Sequence, residues 1–376
     1  MAETASRTVT VDGVRTHFLE AGDGPPVVLL HGGAWGECAA TAWPTAIPAL
    51  SRAHRVIAPD WLGFGGTDKI VDFADRAGRM LDNLEGLLAA LGVEEADVVG
   101  LSMGGSHLLR DQTSPSPRLA VRRMVLVSAG GPPVSGDALA ALMDFTGTVD
   151  AMRAQIALAF ADPSWAADDS VVMPRLEAAL APGAYEAFAS LALRPPGHRP
   201  PPLGDPFDYS RVTVPTLVTA GDLDRLKPPG FAADVAAAIP GAQLRTFPGC
   251  GHCPQLEAAD AWNDAVLTFL AQPSPTQPSP AQPSPAETAQ ARTAPAQPSP
   301  AQPSPAETAQ ARTAPAETAQ PAPAQAAPAE TAQARTAPAE TAQAAPAETA
   351  RAEGAQIETA PAQSAQAKTS PEKENS

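Results

Sequence analysis

Short runs of Val, Ile and Leu alternate along the first 270 or so residues with Ala- and Leu-rich stretches whose apolar positions recur every three to four residues. Unbroken apolar runs suit strands buried on both faces, and the longer period suits helices laid against them. The pattern therefore reads as βα units around a mostly parallel sheet. It predicts strands at Thr8–Val11, Thr16–Glu20, Val27–His31, Arg55–Ala58, Asp97–Leu101, Arg123–Ser128, Thr216–Ala220 and Gln243–Phe247. Helices are predicted at Trp43–Ser51, Arg76–Leu91, Met103–Gln112, Phe231–Ile239 and Ala258–Leu270. Asp12-Gly13, between the first two strands, is a tight-hairpin signal, which makes them an antiparallel edge. The expected class is α/β, one mostly parallel central sheet with helices on both faces.

Two stretches depart from this alternation. Between Pro132 and Tyr209 the chain is Ala-rich and of helical character, too long for a connection and too short for a full second domain. It reads as a helical cap, about 133–209, inserted over one end of the sheet. From Ala271 onward the only aliphatic side chain larger than Ala is Ile357, and Pro-Ala-Glu-Thr-Ala-Gln-Ala-Arg-Thr-Ala-Pro recurs from Pro285, Pro305 and Pro328. Such a segment cannot bury enough apolar surface to offset its chain entropy, and its prolines interrupt any helix. The expected organisation is a domain over 1–271 and a disordered Ala/Pro/Gln/Glu-rich repeat tail over 272–376.

Charge narrows the classes. The net charge is −16, about −12 of it before residue 272, and no Lys/Arg cluster interrupts it. Such a field repels phosphate backbones and anionic lipid, so neither nucleic acid nor a membrane is an expected partner. No apolar stretch resembles a signal peptide or a membrane span, and a cytoplasmic location is the default expectation. Cys38, Cys250 and Cys253 are too few for a disulfide framework and are expected to be reduced. A homo-oligomer, and a protein partner held through the tail, stay open.

The strongest chemical signal is Gly100-Leu101-Ser102-Met103-Gly104, directly after a predicted strand and directly before a predicted helix. That is the context of a nucleophile elbow, in which small residues on either side permit a tight turn that pushes the serine outward. A serine needs a base, and the base an orienting acid. Gly221-Asp222-Leu223-Asp224 and Gly249-Cys250-Gly251-His252 each follow a predicted strand, where loops leave the carboxyl edge of the sheet. Ser102 is therefore the candidate nucleophile, His252 the base and Asp224 the acid, with Asp222 as its alternative. The oxyanion donors expected are the backbone N–H groups of Met103, from the elbow, and Gly33, in His31-Gly32-Gly33. Cys250-x-x-Cys253 invites a metal or redox reading, but no further ligands at matching spacing accompany it, and neither metal nor cofactor is expected. His107 is read as a packing or hydrogen-bonding residue and Asp60 as a tie within its own loop.

Residues 8–271 resemble an α/β-hydrolase-fold serine hydrolase, and more narrowly the meta-cleavage-product carbon–carbon hydrolases. The motifs are His31-Gly32-Gly33, Pro59-Asp60-Trp61-Leu62-Gly63-Phe64-Gly65-Gly66-Thr67, Ser102-Met103-Gly104-Gly105, Ala161-Asp162-Pro163-Ser164 and Cys250-Gly251-His252. The resemblance implies hydrolysis of a small vinylogous 1,5-diketone acid, with a cap arginine, best matched by Arg175, holding the substrate. Where that subfamily usually has Asn before the nucleophile and Trp after the histidine, this chain has Leu101 and Cys253. Both positions are then implied to touch substrate, in a less polar pocket. A carboxylesterase or lactone hydrolase, a small-ligand receptor on the same fold, and a tether whose tail is the working part are the alternatives. Epoxide hydrolases and haloalkane dehalogenases resemble the fold but place an aspartate where Ser102 stands.

Overall fold

The computed structural model describes residues 3–193 and 205–273. The expected tail thus lies, but for its first two residues, outside the described residues, as does 194–204 within the expected cap. Eight strands form one sheet: β1 (Ala5–Val11), β2 (Val14–Ala21), β3 (Pro26–Leu30), β4 (Arg55–Pro59), β5 (Ala96–Leu101), β6 (Val121–Val127), β7 (Thr216–Gly221) and β8 (Gln243–Phe247). Their order is β1-β2-β4-β3-β5-β6-β7-β8, antiparallel from β1 to β4 and parallel from there to β8. The hairpin falls on Asp12 and Gly13, at φ 48° and 80°, a turn whose twist matches that of the strands it joins.

Helices α1 (Ala39–Ala42) and α2 (Ala46–Leu50) precede β4, α3 (Arg76–Ala90) precedes β5, and α4 (Met103–Gln112) follows it. The single helix expected over Trp43–Ser51 is instead these two short ones. Trp43, at φ −127° and ψ 29°, is kept from helical geometry by the ring of Pro44 after it. Between β6 and β7 come α5 (Gly136–Met143), α6 (Val149–Ala159), α7 (Ser164–Ala167), α8 (Asp169–Leu180) and α9 (Ala184–Ala189). The chain then continues through α10 (Phe231–Ala238), α11 (Pro254–Glu257) and α12 (Ala259–Leu270). Among the described residues no helix is long and apolar enough to cross a membrane.

Alternate residues of β5 divide the core. Ala96 and Val98 join a cluster with Met80 and Leu84 of α3, Leu108 of α4 and Val235 of α10. Val99 and Leu101 join another with Ala39, Trp43, Leu50, Trp262 and Phe269. The first cluster continues without a break into the inserted helices through Met152, Ile156, Phe160, Val172 and Leu176. Those helices rest on the carboxyl edge of the sheet: Trp35, just beyond β3, stacks on Phe145 at 4.8 Å and meets Phe188 at 4.4 Å, and the His252 N–H donates to the Ala159 carbonyl at 2.7 Å. The cap therefore covers the loops that carry the candidate chemistry.

Candidate active site

Ser102 sits between β5 and α4 at φ 47° and ψ −110°, a conformation that costs a non-glycine residue about 1–3 kcal/mol. The surrounding glycines make this possible by contact distance. A Cβ at Gly100 would lie 2.5 Å from the Gly105 Cα, and one at Gly104 would lie 2.5 Å from the Leu30 carbonyl oxygen. The turn thus folds tightly against α4 and the end of β3. Because β3 pairs with β5 through Leu30 and Gly100, the His31-Gly32-Gly33 loop leaves the sheet beside Ser102.

His31 organises that loop. It is wholly buried, its Nδ1–H donates to the Gly32 carbonyl at 2.7 Å, and its Nε2 accepts the Trp61 N–H at 3.0 Å. Burial pushes its pKa down, against the opposing pull of Asp60 and Glu37, and keeps the ring a neutral hydrogen-bonding bridge. Gly33 lies against the elbow: a Cβ there would be 2.7 Å from the Met103 Sδ. Met103 is the first residue of α4, so its N–H has no acceptor within the helix.

The candidate acid and base are in contact. Asp224 Oδ2 and His252 Nδ1 are 2.8 Å apart, with side chains 3% and 7% exposed. Asp222, the alternative acid, is exposed and accepts the Gly249 N–H at 2.7 Å, holding the turn after β8 rather than the imidazole. Burial raises the Asp224 pKa, but the His252 ring, the Leu226 N–H and the nearby Lys227 charge outweigh it, and the carboxyl titrates below its ordinary value. Lys227 is itself anchored, donating to the Gly130 and Pro132 carbonyls at 2.7 and 3.1 Å. Ser102 Oγ makes no hydrogen bond to His252 among the described residues. Catalytic hydrogen bonds of this kind commonly close only around substrate.

Arg175, on α8, faces the domain beneath it. Its Nη2 donates to the Thr41 carbonyl at 3.0 Å, and its guanidinium lies 5.7 Å from the Phe160 ring centroid. Cys253 is buried near it; burial pushes the thiol pKa well up, with Glu37 adding to the effect and Arg175 opposing it. Leu101 requires a correction. It is 1% exposed and packed in the cluster with Trp43 and Trp262, on the face of the sheet away from the cluster that holds Cys253. Strand alternation turns the residue before Ser102 into the core, so the implied substrate contact at Leu101 does not follow.

Two acidic residues carry weight that no motif announces. Glu257, in α11, accepts the Gly251 N–H with one oxygen and the Ala161 and Asp162 N–H groups with the other, the latter at 2.7 and 3.2 Å. It joins the histidine loop to the cap motif Ala161-Asp162-Pro163-Ser164. Glu37 lies over Gly32, where a Cβ would be 3.0 Å from its Oε2. Asp60 ties its loop as expected and more widely, accepting the Gly66 N–H at 2.8 Å and the Ala39 N–H at 2.7 Å, with His17 Nδ1 at 2.7 Å. His107 packs edge-on against Trp61 at 5.4 Å, its Nε2 without a partner among the described residues. Cys250 and Cys253 fall in different core clusters. A cavity of about 560 Å³ lined by Leu217, Arg245 and Phe269 lies away from all these groups, so chemistry rather than volume locates the site.

Residues 27–266 match the model of the alpha/beta hydrolase family. The chain is 32% identical over 269 residues to the 2-hydroxymuconate semialdehyde hydrolase of Pseudomonas sp. strain CF600, covering 71% of this chain and 94% of that protein. It is 34% identical over 267 residues to the 2-hydroxy-6-oxo-2,4-heptadienoate hydrolase of Pseudomonas putida, covering 70% and 96%. The solved structure of a mutant of the meta-cleavage product hydrolase CumD from Pseudomonas fluorescens IP01, complexed with acetates, superposes with a TM-score of 0.63 at 32% identity, over 70% of this chain and 97% of that one. With its eight-stranded sheet and matching family model, the chain belongs to the alpha/beta hydrolase family, as a hydrolase related to the meta-cleavage-product hydrolases.

Proposed function

We propose that the protein is a serine hydrolase in which Ser102, His252 and Asp224 form the triad, and that it cleaves a carbon–carbon bond in a small vinylogous 1,5-diketone acid. The observation that carries the triad is the 2.8 Å Asp224–His252 contact, set at the same sheet edge as the Ser102 elbow. Asp224 holds the ring with Nδ1 protonated, leaving Nε2 to take the Ser102 proton as Oγ attacks the substrate carbonyl. Negative charge then gathers on the carbonyl oxygen, where the Met103 and Gly33 N–H groups would receive it. As the carbon–carbon bond breaks, its electron pair passes into the conjugated system of the leaving fragment, and that fragment takes the proton from His252. Water, deprotonated in turn by His252, releases the acyl group from Ser102.

The carbon–carbon reading is supported by the names of the relatives and by Arg175, which suits a substrate carboxylate or carbonyl. An esterase or lactone hydrolase is favoured instead by Cys253, a smaller group than the family's usual Trp. Parallel assays on p-nitrophenyl esters of rising chain length and on a ring-fission dienoic acid test the choice. The dienoic acid should turn over with the higher specificity constant, and Ser102→Ala should abolish both activities while the protein stays folded. Arg175→Gln should cost about 10- to 100-fold on the acid, the worth of one charge-assisted hydrogen bond, and leave neutral esters far less affected. Preference for esters in the wild-type protein would overturn the carbon–carbon reading and keep the triad. We also take 1–271 as the catalytic unit, so a chain ending at Pro273 should keep its turnover.

A further inference from the structure

A second set of serine, histidine and aspartate side chains stands apart from the site described above. In the β1–β2 hairpin Thr8 lies opposite His17, which puts Ser6 on the same face as Thr8 and diagonal to the histidine. Ser6 Oγ and His17 Nε2 are 2.9 Å apart, and His17 Nδ1 and Asp60 Oδ2 are 2.7 Å apart. The order of contacts is that of a triad, with both links closed. Along the strand order β1-β2-β4-β3-β5, spacings of about 4.8 Å put Ser6 about 20 Å across the sheet from the elbow strand.

Backbone fixes Asp60 and His17 as firmly as they fix each other. Asp60, its side chain 3% exposed, accepts the Ala39 and Gly66 N–H groups at 2.7 and 2.8 Å. Its own N–H donates to the His17 carbonyl at 3.0 Å, and the His17 N–H donates to Thr67 Oγ1 at 2.9 Å. A Cβ at Gly65 would overlap the Asp60 carboxyl and one at Gly66 would lie 2.7 Å from His17 Cγ, so glycine backbone packs against both groups. Burial raises the Asp60 pKa, but His17, His31 and the two N–H groups outweigh it, and the carboxyl titrates below its ordinary value. An ionised carboxylate can only accept. The neutral imidazole therefore carries its proton on Nδ1, which leaves Nε2 to accept from Ser6 Oγ. Ser6 itself is exposed on the outermost strand, open to a molecule arriving from solvent.

We propose that Ser6 is a second nucleophile, activated by His17 and Asp60, that accepts the acyl group of an activated ester with a phenolate-like leaving group. Ser6 Oγ attacks the ester carbonyl carbon while His17 Nε2 takes the hydroxyl proton. The bond from that carbon to the leaving oxygen then breaks with its electron pair, the leaving phenolate takes the proton from His17, and the acyl group remains on Ser6 as an ester. A phenolate leaves more readily than a serine alkoxide, so acylation outruns hydrolysis and the ester accumulates. None of this rests on the Ser102 reading. The test uses the full chain carrying Ser102→Ala, treated with p-nitrophenyl acetate, digested and mapped by mass spectrometry. Hydroxylamine, which cleaves an ester and spares an amide, separates acetyl-serine from acetylated amines. Ser135, exposed and with no histidine bonded to it among the described residues, is the internal reference. Ser6 should be acetylated about 100-fold or more faster than Ser135, and His17→Gln should bring the two rates together. His17→Asn is read in the same way if a melting curve shows His17→Gln unfolded. Equal rates at Ser6 and Ser135 before His17 is changed, or a fast Ser6 that survives the change, would overturn the proposal and leave Ser6 and His17 as a tie between β1 and β2.

Discussion

The elbow and the Asp224–His252 pair, the two halves of the proposed triad, are built on opposite physical terms. Gly100 to Gly105 are contiguous, and backbone crowding sets their geometry: at Gly100 and Gly104 an added methyl would come within 2.5 Å of main chain. Asp224 and His252 are 28 residues apart on loops after different strands, and hydrogen bonds to Leu226, Ala159 and Glu257 bring them together. One half is therefore vulnerable to volume and tolerant of charge; the other is vulnerable to charge and to the loss of a single acceptor.

The largest effect should come from the pair. Asp224→Asn keeps the shape but favours the wrong imidazole tautomer, and should lower kcat by on the order of 10⁴-fold, as loss of the orienting carboxylate does in serine proteases. Asp222→Asn should cost less than about tenfold, because it weakens a single hydrogen bond in an exposed turn. Steady-state kinetics on one ester decide between them, and equal losses would erase the distinction between the two carboxylates.

On the elbow side, Gly104→Ala should destabilise the fold by about 1–3 kcal/mol through overpacking against the end of β3. Urea unfolding measures it. A neutral result would mean that β3 and α4 can separate, and that the elbow is softer than the contacts indicate.

Glu257→Gln sharpens the comparison at lower cost. Gln offers one carbonyl oxygen where Glu257 uses two, so either the Gly251 N–H or the Ala161 and Asp162 pair loses its acceptor. Losing about 1–2 kcal/mol of positioning should reduce kcat roughly 5- to 30-fold, more than it raises KM. A change confined to stability would make Glu257 a cap anchor with no influence on His252.

The smallest effect at neutral pH, because it develops only on acidification, is a pH dependence of stability that the halves divide between them. Burial, with Arg110 and Arg76 close by, lowers the His107 pKa to about 4. The unfolded chain takes up that proton near the ordinary value of 6.5, so stability present above pH 6.5 declines as pH falls towards about 4, by at most about 1.4 kcal/mol per pH unit. Asp224, held below its ordinary value, acts lower down. Its contribution is present above the ordinary carboxylate pKa and is lost only as pH falls through its depressed folded value. His107→Phe should flatten the first limb of a melting-temperature profile and Asp224→Asn the second. A first limb that survives in His107→Phe would assign it to another group.

The eight strands, the Asp12-Gly13 hairpin and the Ser102 elbow were legible in the chain because each is a local event. Apolar periodicity places a strand, a positive φ needs Gly or Asp at a turn, and a tight strand-to-helix turn needs glycines at set offsets. Local pattern ran out at Trp43–Ser51, where Pro44 splits the helix, and at Leu101, whose side of β5 follows from the pairing of whole strands.

Sequence alone thus determined the fold class and named Ser102, His252 and two carboxylates. Only the tertiary structure decided that Asp224 rather than Asp222 reaches His252 and that Glu257 ties the histidine loop to the cap. The reason lies in the range of the forces. Sterics and backbone preference act between neighbours in the chain, whereas a carboxylate finds its partner through space, after the sheet has brought distant loops to one edge.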